Sequence, residues 1–101
     1  MRLTTYEKEK IINTARNIFN YDAKVILFGS RINDEKKGGD IDLLIIPGSK
    51  IKREDIFEKK MSFLVNLKDI IGEQKIDVII KYKNDNRSIV STALKRGIAL
   101  C

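Results

Sequence analysis

The sequence contains no histidine and no tryptophan, and its one cysteine, Cys101, is the last of 101 residues. Without a second cysteine no internal disulfide and no cysteine-based zinc cluster can form. The lack of histidine excludes Ser-His-Asp and Cys-His nucleophile systems, His-ligated zinc and the usual neutral-pH general base. Any acid-base chemistry must run through Asp, Glu or hydroxyl groups. Aromatic residues make up only 7% of the chain, too few for a surface on which single-stranded nucleic acid stacks base by base. Neither a signal-peptide pattern nor an apolar run of membrane-spanning length occurs, so a cytoplasmic protein without membrane contact is expected.

What is present fits a globular protein, with 43% hydrophobic and 34% charged residues. A chain of this length buries one modest core, and a single domain covering residues 1–101 is expected, with no linker or internal repeat. Twenty Lys and Arg against fourteen Asp and Glu give a formal charge of +6. That balance steers anionic partners such as nucleotides or RNA toward the surface. The lysines are spread over the whole chain, however, and a solvated basic surface explains them equally well.

The hydrophobic pattern divides the chain into alternating elements. Thr4 and Glu7 have capping-box spacing ahead of Ile11, Ile12, Ala15, Ile18 and Phe19, which predicts an amphipathic helix to about Asn20. Lys24 to Phe28 is a short apolar run of the kind buried strands use. It leads into Gly29-Ser30-Arg31 and a polar loop ending in Gly38-Gly39. Asp40 to Ile46 is a second strand, closed by the turn dipeptide Pro47-Gly48. A helix is expected from about Lys52 to Ile71, with Ile56, Phe57, Lys60, Leu64, Leu67 and Ile71 on one stripe, Lys60 at its edge and Gly72 as its stop. Ile76-Asp77-Val78-Ile79-Ile80 is a third strand, and Ser88 to Arg96 a last helix with Ile89, Val90, Ala93 and Leu94 inward. The apolar tail 98–101 is expected to dock on the body. This order implies a mixed α/β fold of the α+β kind, a small sheet of three or more strands packed against helices.

Three aspartates, Asp40, Asp42 and Asp77, stand in otherwise apolar strands. A buried carboxylate costs several kcal/mol unless a cation or hydrogen bonds compensate it. Any one of the three could be a strand-end cap or the partner of a lysine; three together call for a shared reason. Strand alternation puts Asp40 and Asp42 on one face, roughly 6.5 Å apart along the chain, with Ile41, Leu43 and Ile45 on the other. That spacing lets both carboxylates reach metal ions held about 3.5–4 Å apart. Asp77, on a neighbouring strand, can complete the cluster, and all-oxygen ligands suit Mg²⁺. Gly29-Ser30 supplies a turn whose backbone can pass close to a phosphate while the hydroxyl and N–H donate to it. Arg31 either neutralises phosphate charge or lies on the surface, and Lys36-Lys37 is either a phosphate contact or a solvated loop tip.

Gly29-Ser30, nine intervening residues, and Asp40-Ile41-Asp42 resemble the signature of the polymerase-beta-like nucleotidyltransferase superfamily. In detail, Val25 to Arg31 followed by Gly39-Asp40-Ile41-Asp42-Leu43 is similar to its minimal nucleotidyltransferase branch. Ile76-Asp77-Val78 looks like the third-carboxylate strand, and Ala93 to Leu100 like the closing helix and tail. The resemblance implies a nucleotidyltransferase fold and transfer of a nucleoside monophosphate from ATP or another nucleoside triphosphate to a hydroxyl. It implies that Gly29 and Ser30 hold the β- and γ-phosphates, that Asp40 and Asp42 bind two Mg²⁺ ions, and that Asp77 helps deprotonate the acceptor. Small members are often paired with a helical HEPN-type RNase toxin, and act as antitoxins by adding AMP to a tyrosine of it. The larger relatives hold their acceptors with an extra domain; here the acceptor is expected from a partner or a second subunit. Two other readings stand beside this one: a non-catalytic antitoxin acting by surface contact, and a nucleic-acid-binding adaptor using the positive charge.

Overall fold

The computed structural model describes residues 3–32, 39–72 and 74–101, with Ser30 described by its backbone alone. The first helix, α1 (Thr5–Phe19), opens with the expected capping box. The Glu7 N–H donates to Thr4 Oγ1 at 3.0 Å, and the Thr4 N–H donates to the Glu7 carboxylate at 2.9 Å. Two orphan amides of the first turn are satisfied in this way.

Four strands follow: β1 (Lys24–Phe28), β2 (Ile41–Ile46), β3 (Ile76–Ile80) and β4 (Ile98–Ala99), in the spatial order β3-β2-β1-β4. β1 lies antiparallel to both β2 and β4, whereas β2 and β3 run parallel, joined by the crossover helix α2 (Ile56–Ile71). A parallel pair needs such a crossover because a tight turn cannot reverse the chain twice. The last helix, α3, spans Ser88–Arg96.

The sheet is covered on both faces. One face contributes Val25, Leu27, Leu43, Ile45, Val78 and Ile80, packed against Ile11, Ala15 and Phe19 of α1 and Ile56, Phe63 and Leu67 of α2. Phe19 and Phe63 meet with ring centroids 6.0 Å apart, tying the two helices together. The other face is a smaller cluster in which Val90 and Ala93 of α3 pack on Leu44, with Ile26, Phe28 and Ile79 around them. α3 packs on the Leu44 part of this face, and Asp77 near the start of β3 is exposed.

The expected elements are present, with four differences. The tail is not merely docked: Ile98–Ala99 pairs with β1, and the Leu100 N–H donates to Val25 O at 2.8 Å. The helix expected from Lys52 begins as a 3₁₀ turn, Arg53–Asp55, and becomes α-helical at Ile56. Phe57 is 71% exposed rather than inward, since it sits one residue, about 100° of helix rotation, away from the Ile56–Phe63–Leu67 stripe. Ile89 and Leu94 are likewise half exposed, because α3 presents Val90 and Ala93 to the sheet and their neighbours rotate outward. Lys36, Lys37 and Gly38 lie outside the described residues. No helix among the described residues is long and apolar enough to cross a membrane.

The contrast between neighbouring phenylalanines is testable by urea denaturation. Phe63→Ala is expected to cost about 3–5 kcal/mol of stability, the usual range for emptying a buried aromatic site. Phe57→Ala, on solvated surface, is expected to stay within about 0.5 kcal/mol of the parent.

Candidate active site

Strand register brings the candidate residues together at one corner of the sheet. Phe28 pairs with Asp42 across the β1–β2 ladder, so the turn that follows β1 lands beside the start of β2. Asp42 in turn pairs with Asp77 across the parallel β2–β3 ladder, which places both carboxylates on the α3 side of the sheet. Asp40 precedes β2 by one residue. An oxygen from each of Asp40, Asp42 and Asp77 lies within 4.8 Å of the others, a grouping that can hold a metal ion. Asp40 and Asp42 are half-buried and Asp77 is exposed.

The turn after β1 is a short 3₁₀ segment, Gly29–Ile32. Gly29 has φ +76°, and a Cβ built there would collide with the Asp42 carboxylate, whose Cγ would lie 3.2 Å away. The glycine is therefore required twice, for the left-handed backbone and for room beside Asp42. Ser30 is in this turn by its backbone; its side chain lies outside what the structure describes. Arg31 is a brace: its Nε donates to Gly39 O at 3.3 Å and its Nη2 to Gln74 Oε1 at 3.1 Å. Gln74 Nε2 then donates to the Glu7 carboxylate, the same group that caps α1. Burial alone would raise the Glu7 carboxyl. Hydrogen bonds from Thr4 and Gln74, with the Arg31 charge, more than offset that and hold it below its ordinary value.

Two features of this corner escape sequence reasoning. Lys75, immediately before β3, reaches Asp40 at 3.5 Å and partly neutralises the cluster. Glu7 announces itself as a capping residue, but nothing local signals its link through Gln74 to Arg31. Lys75 could have been suspected from its place two residues before Asp77, which puts both on one face of an extended segment.

The electrostatic consequence falls on Asp42. Its carboxyl is pushed above the ordinary range first by desolvation, then by the negative charges of Asp77 and Asp40, with Lys75 acting in the opposite sense. A cation placed among the three would reverse that balance. Asp42 and Asp77 also open onto a groove of about 530 Å³ whose walls include Phe28, Met61, Leu64, Ile79 and Ile89. The corner thus joins a cation-holding cluster to a largely apolar recess, with Lys60 also in its lining, large enough for a small molecule or a side chain.

The comparisons with known proteins agree with this arrangement. The family model described as polymerase beta, nucleotidyltransferase matches residues 9–101, nearly the whole chain and all three carboxylates. No curated protein matches the chain.

Two outcomes test the geometry. Asp42 has a higher pKa in the folded chain than in the unfolded one. Its contribution to stability is therefore complete below the ordinary carboxylate range and is lost as pH rises through the raised value. Asp42→Asn should accordingly raise the melting temperature in EDTA at about pH 7 by the order of a few degrees, a gain that shrinks in acid; melting curves across pH check this. Gly29→Ala should keep the fold yet weaken divalent-cation binding by about tenfold or more, read by cation-induced thermal stabilisation, because the methyl group displaces Asp42.

Proposed function

The chain belongs to the polymerase beta nucleotidyltransferase family, and on that premise we propose that it transfers AMP from ATP to a tyrosine hydroxyl of a partner protein, a helical HEPN-type toxin, and so serves as an antitoxin. The observation that carries this reading is the meeting of Asp40, Asp42 and Asp77 within 4.8 Å, beside the Gly29 turn. The choice of a protein acceptor rests on the likeness of Val25 to Arg31 and Gly39 to Leu43 to the minimal branch of the family. The apolar groove beside Asp77 supports it, because an aromatic side chain can lie there with its hydroxyl toward the carboxylates.

The donor set fits a hard divalent cation: three carboxylates, with neither thiol nor imidazole among them. Asp40 and Asp42 would hold Mg²⁺, with Asp77 on the acceptor side. When bound, two such ions neutralise phosphate charge and acidify the attacking hydroxyl.

The chain's own contribution is positioning. Gly29 leaves room for the phosphates to approach the backbone, and the Ser30 N–H and hydroxyl would donate to them. The Arg31 brace ties the turn after β1 to Gly39, one residue before Asp40, and so links the phosphate side to the carboxylate side. Asp77, the most open of the three, accepts the hydroxyl proton as the acceptor oxygen bonds to the α-phosphorus and the bond to pyrophosphate breaks. Lys75, 3.5 Å from Asp40, would give up that contact to a bound cation.

The chain, its partner, ATP and Mg²⁺ incubated together should give a partner whose intact mass is raised by one nucleoside monophosphate, at a tyrosine. Asp42→Ala should slow adduct formation by roughly 10²–10⁴-fold. Absence of an adduct with any of the four nucleoside triphosphates would sink the catalytic reading. Partner neutralisation that survives Asp40→Asn together with Asp42→Asn would leave surface contact as the mode of action.

A further inference from the structure

The far end of β2 and β3, roughly 13 Å from the carboxylates at 3.3 Å per residue, carries a second cavity of about 450 Å³. Its apolar wall is Ile46, Pro47, Ile51 and Ile56. Its remaining charged lining is cationic: Arg53 from the 3₁₀ turn before α2, and Lys81 and Lys83 from the segment after β3. None of these three lies within ion-pair distance of a carboxylate among the described residues.

The backbone that presents the cations is fixed. The Lys81 N–H extends the sheet ladder by donating to Ile45 O at 2.9 Å, and the Tyr82 N–H donates to Asp85 at 3.1 Å. The Tyr82 ring, between the two lysines in sequence, is held by two guanidinium groups, Arg53 at 5.0 Å and Arg87 at 5.6 Å from its centroid. Arg87 is itself committed, donating to Asp85 and to Ile80 O. Its hydrogen bonds hold the Asp85 carboxyl well below the usual carboxylate range. Arg53, Lys81 and Lys83 line one cavity, the Lys81 ammonium resting on Tyr82 O at 3.4 Å, and like charges held on one wall favour an anion placed against them.

We propose that this cavity is a second binding site, for a small organic phosphate of mononucleotide size. The phosphate would lie among Arg53, Lys81 and Lys83, and the apolar or planar body against Ile46, Pro47, Ile51 and Ile56. The arginine fork and two lysines suit a multiply charged phosphate better than a single carboxylate. The volume falls in the range of small-molecule sites. A nucleic-acid strand is a poorer match, since tracking a strand needs a groove with free aromatic platforms, and the one ring here is already taken by guanidinium groups.

The site is independent of the proposed transfer chemistry, and its test needs none. AMP, titrated into the full chain in EDTA, should shift amide NMR signals of residues 46–56 and 81–83 and leave those of Asp40, Asp42 and Asp77 in place. Arg53→Ala with Lys83→Ala should weaken AMP binding by about tenfold or more, and Asp42→Asn should not alter it. Lys83→Glu alone, at an exposed position, keeps the test decisive where the double variant unfolds. The proposal is overturned by shifts confined to the carboxylate corner, by no shift at millimolar AMP, or by equal affinity in these variants. A short single-stranded RNA that binds the same residues more tightly than AMP would also overturn it.

Discussion

Three carboxylates brought within 4.8 Å repel one another, and the rest of the molecule can be understood as the frame that holds them there. The frame works through register. Asp42 is fixed from both sides, by Phe28 on β1 and Asp77 on β3, and a slip of one residue in either ladder would turn its carboxylate toward the opposite face. Register is enforced by burial. Ile41, Leu43 and Ile45 are completely enclosed under α1 and α2, so any slip would also drive a carboxylate into the main core. The hydrophobic face thereby sets the position of the charged one.

The price of that arrangement appears in the supporting contacts around the corner. Lys75 takes up part of the negative charge at Asp40, and the Arg31–Gln74–Glu7 chain links the turn after β1, the residue before Asp40, the approach to β3 and the first turn of α1. Apart from the turn and Gly39, which are eight residues from each other, these segments are far apart in sequence. A polar network of this kind resists opening because each member has its partners only when all the segments are in place. The corner combines electrostatic strain with mechanical closure, the combination that favours an incoming cation.

Much of this was legible in the sequence because it is written in local pattern. The capping box at Thr4 and Glu7, the apolar runs of β1, β2 and β3, and the alternation that puts Asp40 and Asp42 on one face all depend on neighbours a few residues away. What could not be read depends on distance. β4 has only two residues, too few for any periodicity, and it exists because β1 offers an edge to pair with. Phe57, Ile89 and Leu94 look like core by composition, yet each sits a helix step away from the residue that faces the sheet. Gln74 carries no motif at all, and its place between Glu7 and Arg31 follows from a crossover that returns the chain beside α1 only after β2 and α2 are complete.

The pairing of Ile26 with Ala99 joins the second element of the chain to its last, with every other strand and helix except α1 lying between. Closing so long a loop yields few hydrogen bonds for the entropy lost, whereas β2, α2 and β3 can assemble through shorter loops. On that ground the β2–α2–β3 unit and its partner β1 are expected to consolidate first, with β4 pairing after the barrier has been crossed. In that order β4 would act as a latch on kinetic lifetime. Loosening it would leave the rate of folding nearly unchanged and show itself almost entirely as faster unfolding.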